Sequence, residues 1–321
     1  MSFSALSDEL AQVRTKKKEF LEKIERIIPW GEWMEIIRPC YYKGERGNKP
    51  YDLERMLRIY MIQNLYNLSD MATVAEVIDS RAFSEFCGVE SSNQVPDGDT
   101  LGRFRNLLMK NGIQEQLFVQ VVKLLSERGL ILKKGTIVDS TFIESPSSTK
   151  NKEKQRDPEA HSSKKGNVWH FGYKAHIGVD SESGLVHTVK ATAANEHDVC
   201  ETANLLHGEE SVVYGDSGYL GADKRPEAKK KNKAGKQIRY KINRRPSQSK
   251  NNSTRSKAQI KRREHEKSSV RAKVEHVFAV IKLQLKYRKT RYRGLQKQIA
   301  KLNIMFALAN LILADRPCLT A

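Results

Sequence analysis

At 321 residues the chain is long enough for two domains, or one large domain with an appendage, and 39% hydrophobic with 30% charged residues describes a soluble protein with a large charged surface. The net charge of +19 exceeds what solubility needs and points to a polyanionic partner, nucleic acid first. Four scattered cysteines without a Cys-x-x-Cys pair exclude a disulfide scaffold, and together with His161, His170 and His176 they lack the ligand spacing of a zinc site.

Met1–Gln12 is mixed polar and acidic, which predicts no secretory signal and a cytoplasmic protein. A charged helix is expected from Glu9 to Ile28, stopped by Pro29-Trp30-Gly31. The polar stretch Lys43–Pro50 contains a Gly-x-x-Gly but not the Gly-Lys-Ser/Thr ending of a phosphate loop, so it reads as a linker. Leu53, Met56, Leu57, Tyr60, Met61 and Leu65 recur at helical spacing, Ser69-Asp70 reads as the N-cap of a helix from Met71 to Ile78, and Arg81–Phe86 makes a third. After a loop at Ser91–Asp99, Thr100 is the expected cap of a helix bearing Leu101, Phe104, Leu107 and Leu108. Gln114–Arg128 continues as another amphipathic helix that Gly129 closes. Residues 1–129 thus read as a helical N-terminal domain able to present a helix to DNA.

At Leu130 the period changes from helix to strand. Thr136–Ile143 is a β-branched run, Ser147–Lys165 a lysine-rich loop, and Val168–Val179 and Leu185–Ala193 form a hairpin around the turn signal Asp180-Ser181-Glu182-Ser183-Gly184. A helix is expected over Val199–Leu206 and a strand over Ser211–Tyr214. This order argues for an α/β domain, residues 130–321, with a mixed sheet and flanking helices. Ala222–Lys273 carries 20 Lys and Arg against 4 Asp and Glu, a local excess of +16, and its core, 222–268, reads as loop and charged helix with one strand, Gln237–Ile242. A long helix is expected from Ser269 to about Tyr287, basic and aromatic residues alternate over Arg288–Arg293, and Gln298–Asp315 is a final apolar helix. Its apolar run, Ile304–Ala314, contains Asn310 and is too short to span a bilayer.

Gly215-Asp216-Ser217-Gly218 is the context in which trypsin-like proteases present a nucleophilic serine, yet Tyr219-Leu220 follows and nothing orients His197 and Asp198 toward Ser217. Asp216 ends an apolar strand, Asp139 lies inside another, and Glu275 flanks the apolar stripe of a helix with Arg271 and Lys282 close to it around the axis. Three such carboxylates suit Mg²⁺ or Mn²⁺, and two ions about 3.5–4 Å apart clamp an in-line phosphoryl displacement. Taken singly, Asp139 can equally cap or turn, Asp216 shape its turn, and Glu275 pair with Arg271.

Several stretches carry a resemblance. They are Pro50–Asp70, Gly135–Asp139, Ser145–Glu153, Lys164–Gly172, Lys174–Asp180, Thr192–Asp198 and Arg271–His276. Over nearly its whole length the chain resembles the DDE transposases of bacterial insertion sequences, specifically the insertion sequence five family. The family's carboxylate triad falls on Asp139, Asp216 and Glu275, and its signature Tyr-(2)-Arg-(3)-Glu-(6)-Lys on Arg271, Glu275 and Lys282, with Ser268 where the tyrosine stands.

The resemblance implies a ribonuclease H-like catalytic domain, an N-terminal region recognising terminal inverted repeats, and Mg²⁺-dependent cleavage and strand transfer on double-stranded DNA. Arg271 and Lys282 would then neutralise phosphate, Lys164, Lys165 and Lys174 line the approach, and Tyr287, Arg288, Arg291, Tyr292 and Arg293 offer phosphate contact and stacking. A dimer is expected because two ends must meet, and neither a membrane nor a small-molecule substrate is implied. The competing expectation is a transposase-derived DNA-binding protein without catalysis.

Overall fold

The computed structural model describes residues 14–44, 49–245 and 254–315, side chains of 254–256 excepted. The start of the helix expected from Glu9, all but the first residue of the linker's Gly-x-x-Gly, part of the basic segment and Cys318 lie outside these residues. Cys40, Cys87 and Cys200 are free thiols.

The chain divides into two compact units, the first comprising Met1–Gln63 and Leu68–Asn111 and the second Asn64–Asn67 and Gly112–Ala321. Among the described residues six α-helices build the first: α1 (Lys16–Ile27), α2 (Trp30–Ile37), α3 (Leu53–Leu65, whose last residues belong to the second unit), α4 (Asp70–Asp79), α5 (Arg81–Cys87) and α6 (Gly98–Lys110). Pro29 ends α1 but also opens α2, the position where its missing N–H costs nothing. Ser69 caps α4 through a hydrogen bond from the Ala72 N–H, as expected. The cap of α6 is Asp97, not Thr100: its Oδ1 accepts from the Thr100 N–H at 2.7 Å, so the helix begins a turn early. Trp33, Tyr60, Phe83 and Phe104 fill the interior, with Tyr60 and Phe104 edge to face at 6.0 Å.

The helix expected over Gln114–Arg128, α7 (Ile113–Glu127), belongs by its packing to the second unit, where it lies along the last helix. The compact units therefore divide at Asn111/Gly112 and not at Gly129. The sheet has six strands: β1 (Gly135–Glu144), β2 (His161–Lys165), β3 (Val168–Asp180), β4 (Val186–Ala193), β5 (Val212–Gly215) and β6 (Arg239–Ile242). β1 is central, antiparallel to β3 and parallel to β5, which is parallel to β6; β2 and β4 both pair with β3. The mixed sheet with flanking helices is that of a ribonuclease H-like domain.

β2 was hidden inside the expected lysine-rich loop. It is exposed along most of its length, so no hydrophobic alternation marks it. A 3₁₀ helix (Asp198–Leu205) stands where an α-helix was expected, its Leu205 packing with Val138, Val213 and Tyr219 under β1 and β5. α8 (Thr254–Ala279) begins well before Ser269 and continues as a π-helical turn, Val280–Gln284, in place of regular helix to Tyr287. α9 (Leu295–Ala314) is long and apolar enough to cross a membrane, yet 83% of its 18-residue apolar window is buried within the protein, the pattern of a core helix. Asn310, the polar break in its sequence, donates to the Val186 carbonyl at 2.7 Å and accepts from the Val186 N–H at 2.9 Å, which ties β4 to the core.

Candidate active site

Parallel pairing of β1 with β5 runs from Gly135 opposite Val212 to Ile137 opposite Tyr214. Two residues farther along the same register, Asp139 comes level with Asp216, just beyond the end of β5. The apolar residues that make these runs strands, Ile137, Val138 and Val213, are fully buried and fix the depth of both carboxylates. The Asp216 Oδ1 accepts from the Gly218 N–H at 2.8 Å and caps the short 3₁₀ turn Ser217–Tyr219. A Cβ at Gly218 would stand 2.9 Å from that oxygen, so a larger residue there displaces the carboxylate from its hydrogen bond.

α8 supplies the rest. Arg271 Nη2 faces Asp139 Oδ2 at 3.5 Å, while its Nη1 reaches Asn243 Oδ1 at 3.4 Å. Glu275, one turn on, is exposed at the flank of the stripe that Val274, Val277 and Phe278 bury. Glu275 makes no ion pair with Arg271, the structural role open to it on sequence; the arginine turns to Asp139 instead. Ser268, which replaces the signature tyrosine, accepts from Asn243 Nδ2 at 3.2 Å. Burial pushes the Asp139 carboxyl up from 3.8 to about 6; Asp216 and Glu275 push the same way, against the Ser140 N–H and Arg271.

A cleft of about 640 Å³ opens beside Glu275, lined also by Phe142, Lys165, His170, Lys282 and Arg288. Burial holds Lys282 below the ordinary lysine range, reinforced by Lys165 and Arg288. Lys165, Lys282 and Arg288 outnumber Glu144 and Glu275 around this cleft, which leaves a positive balance that favours an added anion. Phe142 and His170 stack at 4.6 Å and 13° along its wall.

The other expected contacts divide. Lys164 is exposed, with Nζ 6.0 Å from the Trp169 ring centre, and Arg291 is exposed. Arg293 pairs with Glu153 and donates to the Gln155 carbonyl at 3.0 Å, so it fastens the loop before β2. Tyr287 is fully buried, its hydroxyl donating to Gln298 at 2.7 Å, and offers no stacking face. Lys174 is not on the DNA approach: its side chain is buried, donates to the Glu196 carbonyl at 2.7 Å and meets Asp198 Oδ1 at 3.0 Å. Asp198 is accordingly an ion-pair partner, and His197 makes no side-chain cap. His176, fully buried 3.8 Å from Asp198, and Tyr219, whose buried hydroxyl lies in the field of Asp139, Asp198 and Asp216, complete a polar layer that the sequence reading missed. The one available signal was their position in or next to strands, at inward-facing places usually held by aliphatic residues.

Among the described residues, no three His, Cys, Asp or Glu side chains are gathered closely enough to hold a metal ion as they stand. The donor set nevertheless fits one. Asp139 and Asp216 are neighbouring hard oxygen donors, and the burial and like charge that raise Asp139 are what a divalent cation offsets.

A mixed sheet that sets Asp139 on its central strand level with Asp216, just beyond the end of the parallel neighbour, with an acid–cation helix supplying Arg271 and Glu275, is the arrangement of a domain of the ribonuclease H class. Residues 131–311, more than half of the chain, match the family model described as Transposase DDE domain, and residues 8–107 match Transposase domain (DUF772). The chain belongs to the DDE transposase family. No solved structure matches it.

Proposed function

We propose that this transposase serves a bacterial insertion sequence of the insertion sequence five family. In this reading its helical N-terminal domain binds the element's terminal inverted repeats, and Asp139, Asp216 and Glu275 carry Mg²⁺-dependent cleavage and strand transfer in the cytoplasm, on DNA held by a dimer. The observation that supports this best is the β1–β5 register, which brings Asp139 level with Asp216 while Arg271 and Glu275 approach from α8.

Asp139 and Asp216 would hold Mg²⁺ from the sheet and Glu275 from α8, as two ions or with Mn²⁺ in their place. When bound, the metal supplies polarisation of the scissile phosphate and a lowered pKa for the attacking hydroxyl. The chain's own part is placement. Arg271, tethered to Asn243, sets a fixed positive charge beside Asp139. Lys165, Lys282 and Arg288 receive the DNA phosphates next to Glu275, and phosphate in the cleft favours the charged form of Lys282. Water attacks the phosphodiester at the element's end, and the freed 3′ hydroxyl then attacks target DNA. Neither step needs a covalent enzyme intermediate, which leaves Ser217 without a chemical role.

Asp216→Asn is expected to abolish Mg²⁺-dependent nicking of a duplex carrying the element's end while leaving binding within about twofold, because one carboxylate contributes little to phosphate contact. Undiminished nicking by the variant overturns the assignment. Binding without nicking by the unaltered protein leaves the DNA-binding remnant.

A further inference from the structure

The hairpin of β2 and β3 crosses its turn at Gly166-Asn167, with Gly166 at φ +60°. Its tip carries an adjacent exposed apolar pair, Val168 at 58% and Trp169 at 68%. Elsewhere among the described residues large exposed apolar side chains are single and scattered, which is ordinary for a surface.

Nothing in the core calls for a tryptophan here. β2 is exposed along most of its length, and a two-stranded ribbon solvated on both faces gains little from an aromatic standing in water.

Its neighbours are cationic. Cross-strand partners share a face, so Trp169 lies with Lys164, and Lys165 lies with Val168 on the other. Lys165 is the one that lines the cleft of Glu275, so Lys164 and Trp169 form the face turned from it. Phe171, two residues beyond Trp169, extends that face, and the Arg156 guanidinium stands 5.5 Å from its ring centre. An aromatic pair flanked by two exposed cations, on the hairpin whose other face borders the candidate catalytic cleft, has the composition of a stacking platform for nucleic acid.

We infer that the Lys164–Trp169–Phe171–Arg156 face binds an unpaired nucleotide of the DNA being processed, with its base stacked on Trp169 and its phosphates paired with the cations. The inference rests on the DNA-processing reading above. An unpaired nucleotide is specified because stacking needs a bare base face, which an intact duplex keeps inside its own stack. Sequence plays no part in it, since every base has a π-face.

The test uses the full-length protein and two fluorescent DNA probes of arbitrary sequence, a blunt duplex and the same duplex with a short single-stranded extension. The unaltered protein should bind the extended probe more tightly. Trp169→Ala should weaken binding to that probe by about tenfold, within the range for one base–aromatic stack, and leave the blunt duplex unchanged; Trp169→Phe should keep most of the preference. Because the side chain is exposed, the variants should fold normally, which thermal melts check. Equal loss on both probes, or loss on neither, overturns the platform while leaving the carboxylate assignment to its own nicking test. Failure of the unaltered protein to prefer the extended probe likewise overturns the inference, while the function stands or falls on nicking of a duplex that carries the element's end. A shift in sedimentation of the DNA-free Trp169→Ala protein, with DNA binding intact, assigns the tip to self-association and overturns the inference.

Discussion

Asp139 and Asp180 stand on neighbouring antiparallel strands, three residue pairs apart along the ladder, where Thr136 faces Asp180 and Asp139 faces Ile177. Asp180, fully buried, accepts backbone N–H bonds from Leu132, Lys133, Glu182 and Ser183 at 2.8–3.0 Å and closes the β3–β4 turn. At the same end of β1, Glu210 accepts from the His207 and Gly208 N–H groups and from Thr136 Oγ1. Asp139 accepts one backbone bond, from Ser140, and otherwise meets Arg271 and the fields of two more acids. A buried carboxylate surrounded by donors holds a fold together. One surrounded by acids is costly to the apo-protein, and such a group persists where a ligand supplies the missing charge.

Substitution at the two positions should therefore change stability in opposite directions. Asp180→Ala strands four backbone donors and is expected to cost about 4 kcal/mol by chemical denaturation. Asp139→Asn removes a charge that the folded chain disfavours, and in metal-free buffer at pH 7 it should raise stability by on the order of 2 kcal/mol. If Asp139→Asn proves as destabilising as Asp180→Ala, Asp139 is a structural residue and the contrast disappears.

The satisfied part of this comparison was the more legible in sequence. The run Thr136–Ile143 and the turn Asp180–Gly184 announce β1, β3 and β4 through β-branching and turn chemistry, both local properties. Asp139, Asp216 and Glu275 stood out because an acid in or beside an apolar run needs explaining. The resemblance set Lys174 on the DNA approach, but its partner Asp198 lies 24 positions on and meets it only through tertiary folding. β2 and the N-terminal turns of α8 are too polar to show a period. Only Asn111-Gly112 separate α6 from α7, both helical, so the sequence divides where the period changes, at Gly129, while packing divides earlier.

Acid should separate the two kinds of site again, with smaller steps. Burial holds His187 down from 6.5 to about 3, and His176 to about 4, so both are neutral in the folded chain. The unfolded chain takes up a proton at each below about 6.5 and the folded chain does not. Stability present at neutral pH is thus lost as pH falls toward those values, by about 1.4 kcal/mol per pH unit for each histidine. Asp139 works the other way: protonated in the folded chain below about 6, it favours folding as pH falls from there toward its ordinary 3.8. Two histidines against one acid leave a net loss between pH 6 and 4.5. His187→Gln should flatten the slope of stability against pH whatever it does to the absolute value, and Asp139→Asn should steepen it. An unchanged slope in either variant removes that residue from the account.

The smallest effect should come at the residue nearest the carboxylates. Ser217 follows Asp216 directly, yet the turn is held by the Asp216 carboxylate on the Gly218 N–H and by the Tyr219 N–H on the Asp216 carbonyl at 3.1 Å, both of which survive loss of the hydroxyl. If the chemistry belongs to a metal-activated hydroxyl, Ser217→Ala should change nicking by less than about twofold and stability by no more than about 0.5 kcal/mol, the range of an ordinary surface substitution. A serine nucleophile predicts near-total loss of cleavage and a covalent protein–DNA adduct in the unaltered enzyme, detectable by denaturing electrophoresis. The two outcomes differ by orders of magnitude, so this one turn decides whether the acid or the alcohol carries the reaction.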